Sequence, residues 1–213
     1  MIRNVLFDLG GVLVDLDVQR TIAAFKAIID PQKICAGGII APQDLLGVGG
    51  NALINRYQVD DISSHDFIDG ILSVCKADIS RQQVGDAWLA MLVGVKQKKA
   101  DLIKWLKKQG LGIYVLSNIN EMHARWTVDC LRKAGVYDCF DRLFFSNEIR
   151  LAKPDMRCYR LVTEQTGIRP EDTLYIDDLQ PNIEAGCQAG FKCLLAEGDT
   201  WMDIVKEKFA CTH

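Results

Sequence analysis

The 213-residue chain is 49% apolar and 25% charged, with a net charge of −3. Such a composition belongs to an ordinary folded protein, and the mildly acidic balance offers no basic surface for nucleic acid or an anionic membrane. The eight cysteines (35, 75, 130, 139, 158, 187, 193 and 211) form no C-x-x-C pair and no Cys/His ligand spacing, which argues against a zinc site or a disulfide framework.

The first strand is read at NVLFDLG (4–10), an apolar run that ends in a charged Asp8 and a Gly-Gly pair. Residues 16–97 follow, with helical patches at 18–29, 65–76 and 80–93, glycine-bearing turns at CAGGII and GVGGNA, and no strong strand. Roughly 80 residues is far longer than the usual connection of about 4 to 6, so this stretch is expected to be a helical cap domain inserted after the first strand. GVGGNA follows no strand and lacks a Lys-Ser/Thr ending, so it reads as a turn and not a phosphate loop. A helix at 99–109 ends at Gly110 and leads into the strand LGIYVLSN (111–118). A helix at 120–134, the strand DRLFFSNE (141–148), a helix at 155–166, the strand DTLYIDD (172–178), a helix at 181–189 and the strand KCLLAE (192–197) complete the series. Continuous apolar strands alternating with helices predict an α/β fold with a doubly wound parallel sheet, its core made of 1–15 and 98–213 and its cap of 16–97. The N-terminus shows no secretory segment and no run approaches ~18 apolar residues, so the expected setting is the cytoplasm, with the cysteines reduced.

The polar residues gather where the strands end. Asp8 closes the first strand, Ser117 and Asn118 the second and Asp177-Asp178 a later one, while Lys153 lies in LAKPD. In a parallel sheet all carboxyl ends face one edge, where ligands bind, so the topology brings these groups together. Their types suit phosphoryl transfer to a carboxylate. One Asp can attack phosphorus, the other carboxylates can hold Mg²⁺ through hard oxygen donors, a hydroxyl and helix-start N–H groups can grip phosphate oxygens, and a Lys can neutralise charge. Taken one at a time, such residues are more often helix caps and turns than catalytic groups; it is their order and spacing together that point to chemistry.

FDLGGVL, VLSN, AKPD and YIDD are similar to the four motifs of the haloacid dehalogenase superfamily, and the resemblance spans almost the whole chain. It implies Asp8 as nucleophile, Ser117 as phosphate-binding hydroxyl, and Lys153 as charge partner. The implied metal set is Asp8, the Gly10 carbonyl, Asp177 and Asp178 around Mg²⁺. Asn118, Arg20 and His123 join Ser117 and Lys153 as expected substrate contacts. More narrowly, DLGGVLVDLD, LSNINEMHARW and YIDDLQPNIEAG resemble the bacterial α-D-glucose-1-phosphate phosphatases and the N-terminal phosphatase domain of soluble epoxide hydrolase. The implied activity is Mg²⁺-dependent hydrolysis of a small phosphorylated metabolite, such as glucose 1-phosphate, through an aspartyl-phosphate.

One position departs from the pattern. Most phosphatases of the superfamily carry an Asp two residues after the nucleophile as general acid and base, and this chain has Gly10. A positioned acid is worth about 10² to 10⁴-fold. Three readings follow: catalysis is lost, a neighbour (Asp15, Asp17 or His123) substitutes, or the leaving group needs little protonation. A metal-independent 2-haloacid dehalogenase and a catalytically idle binding protein stand as alternatives. Arg150 occupies a place where relatives often have Gly and is read as solvated or as reaching the phosphate entrance. Arg56 is a candidate anion contact, and Tyr57, Trp88 and Trp126 are candidate stacking surfaces for a sugar.

Overall fold

Val5, Leu6 and Phe7 are fully buried, as a strand covered on both faces requires. In the computed structural model, which describes residues 1–35 and 53–210, they belong to β1 (Asn4–Phe7). This strand is central in a five-stranded parallel sheet with β4 (Gly112–Ser117), β5 (Arg142–Phe145), β6 (Thr173–Asp177) and β7 (Lys192–Leu195), in the order β5-β4-β1-β6-β7. Phe7 pairs with Val115 on one side and Ile176 on the other, so the residues following β1 and ending β4 and β6 emerge at the same edge.

Alternation of side chains splits the core across the sheet. Val5, Phe7, Ile113, Val115 and Ile176 face α6 (Gln97–Lys108), α7 (Glu121–Lys133) and α11 (Trp201–Ala210), where Phe7 meets Trp201 edge-on at 5.9 Å. Leu6, Leu116 and Tyr175 face α9 (Met156–Thr166) and α10 (Gln180–Gln188).

The inserted stretch builds a separate apolar cluster from α1 (Val18–Ile28), α3 (Leu53–Gln58), α4 (Ser64–Leu72) and α5 (Arg81–Leu89), with α2 (Pro31–Cys35) beside them in the chain. Reciprocal capping boxes start two of these helices, Ser63 with Asp66 and Ser80 with Gln83. Phe67 is the hub, stacked on Tyr57 at 4.5 Å and 5.0 Å from Trp88. Where the chain leaves and rejoins the core, β2 (Asp15–Leu16) pairs antiparallel with β3 (Leu92–Gly94). Lys99, 1% exposed, anchors this ribbon through Asp15 at 2.7 Å.

Several sequence expectations need correction. The strand expected over 141–148 stops at Phe145, and Ser146–Ile149 form a single helical turn, α8. The helix at 65–76 ends at Leu72, and the one at 80–93 ends at Leu89 and gives way to β3. Helix α11 had no counterpart in the sequence reading, although Trp201, Val205 and Phe209 recur with helical spacing and are buried. The GVGGNA turn and most of CAGGII lie outside the described residues. No helix among the described residues is long and apolar enough to cross a membrane. Cys75, Cys130, Cys139, Cys158, Cys187 and Cys193 are free thiols.

Candidate active site

Asp8 leaves β1 with its N–H donating to the Ile176 carbonyl at 2.8 Å, which fixes its backbone to the neighbouring strand. Its carboxylate is almost enclosed, at 7% exposure. The Lys153 ammonium, equally buried, donates to Asp8 Oδ1 at 2.7 Å and to Asp177 Oδ2 at 2.6 Å. Burial, outweighing the attraction of Lys153, holds the Asp8 carboxyl above the usual carboxylate range. Asp177 is buried too, yet Lys153 and several hydrogen bonds more than offset that burial and hold it below the usual range.

The two adjacent acids therefore differ in kind. Every oxygen of Asp177 is engaged: Oδ1 accepts from Leu179 N–H at 2.9 Å and Asn182 Nδ2 at 3.0 Å, and Oδ2 accepts from Lys153 and from the Tyr175 hydroxyl at 2.6 Å. Asp178 is only partly buried, and its pKa is pushed up to about 6 by burial, then by Asp8 and Asp177. Carboxylate oxygens of Asp8, Asp177 and Asp178 all lie within 4.8 Å of one another. Three carboxylates against one ammonium leave negative charge unbalanced, and the all-oxygen donor set suits Mg²⁺. The residues fit the ion, with Asp8 and Asp178 better placed to hold it than Asp177, which has spent its lone pairs.

The Gly-Gly pair divides its roles similarly. The turn closes when Leu13 and Val14 N–H donate to Leu9 O at 2.9 and 2.7 Å and Gly11 N–H donates to Val14 O at 2.9 Å. Gly11 sits at φ +77°, and a Cβ there would overlap Oδ2 of Asp178. Sequence reading passed over Gly11, whose need for glycine comes from a residue far along the chain. At Gly10 a Cβ would instead face Leu16 Cδ1 at 3.1 Å, so a hydrocarbon covers the position where the motif resemblance leads one to expect an acid.

Ser117 ends β4 at 3% exposure, and no described residue bonds its hydroxyl. Asn118 turns away from the ligand role expected of its side chain. Its Nδ2 donates to Lys153 O at 2.8 Å and its Oδ1 accepts from Lys153 N–H at 2.7 Å, a two-point clamp that fixes the lysine loop. Asn120 caps α7 by accepting from His123 N–H at 3.1 Å, and accepts from Trp88 Nε1 at 3.4 Å.

None of the three candidate substitutes for the missing acid is suited to the task. His123 stacks on Trp88 with ring centroids 4.6 Å apart, and its Nε2 meets the Trp88 carbonyl at 3.2 Å. Burial drives its pKa down to about 4, so the ring is neutral near pH 7 and a poor proton donor there. Asp15 is held by Lys99 and by Lys96 at 3.0 Å; their hydrogen bonds and charges outweigh its burial and keep it low. Asp17 pairs on the surface with Arg20 at 3.2 Å. Arg20, expected at the substrate, is thus an exposed partner of Asp17 on α1. Arg56 pairs with Asp61 at 2.8 Å. Tyr57 is core, and Trp126 packs against the cluster beneath the sheet. Arg150 is in the left-handed region at φ +56°, and its Nη2 donates to Asp60 at 2.8 Å.

A model of the haloacid dehalogenase-like hydrolases matches residues 2–190. The chain is 26% identical over 205 residues to D-ribitol-5-phosphate phosphatase of Bacteroides thetaiotaomicron, covering 94% of this chain and 95% of that one. It is 28% identical over 191 residues to phosphoglycolate phosphatase 1 of Pseudomonas aeruginosa, covering 90% and 68%. A haloacid dehalogenase family enzyme of Bacteroides thetaiotaomicron, solved with magnesium and inorganic phosphate, superposes with a TM-score of 0.78 at 30% identity, covering 93% of this chain and 96% of that one.

Proposed function

The chain belongs to the haloacid dehalogenase-like hydrolases, and on that premise we propose that it is a Mg²⁺-dependent phosphatase of a small sugar phosphate, with Asp8 as nucleophile. The observation that carries the reading is the Lys153 ammonium held between Asp8 and Asp177, with Asp178 beside them. The named phosphatases among its relatives support phosphoric monoester hydrolysis as the reaction class.

In this mechanism the Asp8 carboxylate attacks phosphorus, the bond from phosphorus to the ester oxygen breaks, and the electron pair leaves on that oxygen. Water then attacks phosphorus of the aspartyl-phosphate, releasing inorganic phosphate and restoring Asp8. Lys153 holds Asp8 by Oδ1, and the Leu9 backbone also hydrogen-bonds this carboxylate. The Ser117 hydroxyl receives a phosphate oxygen, while the Met122 and His123 N–H groups at the start of α7 are already taken by Tyr57 and Asn120. Asp178, Asp8 and the Gly10 carbonyl would hold Mg²⁺, which when bound supplies the positive charge that offsets these carboxylates and the phosphate. Asp177 and Asn118 position Lys153. With hydrocarbon over Gly10 and His123 neutral, protonation of the leaving oxygen falls to solvent. That favours an ester whose oxygen departs readily as an anion, and glucose 1-phosphate, with its anomeric oxygen, is the proposed example.

Phosphate release from a panel of sugar phosphates, with and without Mg²⁺, tests the reading. Release should require Mg²⁺ and fall by about 10³-fold or more in Asp8→Asn. Undiminished activity in that variant, or fast chloride release from 2-chloropropionate without metal, would overturn it.

A further inference from the structure

A cavity of about 280 Å³ opens beside the proposed phosphate position and runs beneath the inserted helices. Gly10 and Ser117 bound it at the chemical end. Its walls are mainly hydrocarbon, with Leu16, Ile54, Trp88 and Met91 prominent, and its polar lining consists of amides, hydroxyls and His123. No Lys, Arg, Asp or Glu is among the described lining residues. His123 adds no charge: with Nε2 against the Trp88 carbonyl and burial suppressing protonation, the neutral ring carries its proton on Nε2 and keeps Nδ1 as an acceptor.

Five cations on the surrounding elements are committed elsewhere. Arg20 pairs with Asp17, Arg56 with Asp61, Arg125 with Glu121 and Arg150 with Asp60, while Lys153 is enclosed between Asp8 and Asp177. The sequence from 36 to 52 has no Lys, Arg or His. A carboxylate or second phosphate on the leaving group would therefore lose its hydration and gain no charged partner among the described lining residues, which is a costly arrangement for a pocket to impose.

Resting on the phosphatase reading above, we propose that this cavity selects phosphate esters with an uncharged leaving group and rejects those whose leaving group carries a carboxylate or a second phosphate. Carbon surface of the leaving group packs on Leu16, Ile54 and Trp88, and its hydroxyls meet His123 and the neighbouring amides. Of the two named phosphatase relatives, this sides with ribitol 5-phosphate, a neutral polyol ester, against phosphoglycolate.

The test is kcat/KM in the presence of Mg²⁺ on two matched pairs whose leaving oxygen departs readily: α-D-glucose 1-phosphate against α-D-glucuronate 1-phosphate, and phenyl phosphate against 4-carboxyphenyl phosphate. The neutral member of each pair should lead by about 100-fold or more. A carboxylate ester that matches or exceeds its neutral partner overturns the inference, as does turnover of p-nitrophenyl phosphate with no activity on either neutral ester. Failure on every ester, p-nitrophenyl phosphate included, removes the phosphatase reading itself and this inference with it. Leu16→Lys, at a partly exposed wall position, should narrow each ratio about tenfold or more. An unchanged ratio in a folded variant, judged by circular dichroism, would show that the leaving group lies elsewhere.

Discussion

Asn118 grips Lys153 by both ends of its amide, donating to the lysine carbonyl at 2.8 Å and accepting from the lysine N–H at 2.7 Å. The loop carrying the ammonium is thereby tied to the end of β4, so the lysine reaches Asp8 from a preset position. Asn118→Asp keeps the acceptor and loses the donor, leaving a carboxylate facing the Lys153 carbonyl. We expect a loss of about 1 to 3 kcal/mol in urea unfolding and a fall in kcat with little change in KM. A variant with lowered affinity and unaltered kcat would indicate that the side chain contacts substrate instead.

Substitutions of the adjacent acids should separate their tasks. Asp177→Asn weakens the partner of a buried ammonium and is expected to cost about 3 kcal/mol or more of stability. Asp178→Asn removes a carboxylate that repels its neighbours, so the metal-free variant should be at least as stable as the parent while its Mg²⁺ affinity drops. Calorimetric Mg²⁺ titration alongside thermal unfolding checks both, and the reverse pattern would reassign the metal ligand.

The two glycines should respond unequally. Gly11→Ala meets both a positive φ and Asp178 Oδ2, and should lose about 1 to 3 kcal/mol together with Mg²⁺ affinity. Gly10→Ala meets only Leu16 Cδ1 at 3.1 Å, a side chain able to shift, and should stay within about 1 kcal/mol of the parent. Equal losses at both sites would contradict this account of the turn.

Acid should destabilise the protein through His123. The folded-state pKa is about 4, whereas the unfolded chain titrates near the ordinary value of 6.5. The unfolded state therefore takes up the proton first. The stability associated with the neutral ring is intact above about pH 6.5 and is lost progressively as pH falls toward 4, by about 3 kcal/mol in total. His123→Gln should flatten that part of the pH–stability curve, and parallel curves for the two proteins would rule the ring out.

Arg150 tests an expectation that geometry redirects. Its guanidinium bonds Asp60 on the surface, and both residues occupy positive φ. Arg150→Gly exchanges a weak exposed ion pair for relief of backbone strain, so stability should move by less than about 1 kcal/mol. Activity should be nearly unchanged. A large rise in KM would restore the guanidinium to the phosphate path.

The meeting of Asp8, Ser117 and Asp178 was legible because each stands at or just past the carboxyl end of a strand, and parallel topology brings such ends together. Lys153 reaches them from the loop that follows β5 and α8, and the roles proposed for all four come from the motif resemblance and not from the apolar runs. What sequence could not supply was partnership across the chain. Nothing local to DD distinguishes Asp177, filled by four donors, from Asp178. The glycine at 11 answers to a carboxylate 167 positions away, and the hydrocarbon over Gly10 arrives from the turn into the insertion. Arg20 looked like an anion contact because its pairing with Asp17 could not be seen against the pull of a phosphate. The ribbon of β2 and β3 was too short to leave a pattern.

That ribbon has a consequence for how such a protein can change. Leu16 pairs with Leu92 and Asp15 with Gly94, so the insertion begins and ends on hydrogen-bonded neighbours. Seen from the sheet, the many residues between them span no more distance than a hairpin would. A different set of helices could be spliced between the same two strands without moving Asp8, Lys153 or Asp178. Only Leu16, Leu92 and their neighbours would have to be kept as a graft junction, and substrate preference would become a property exchangeable as a cassette.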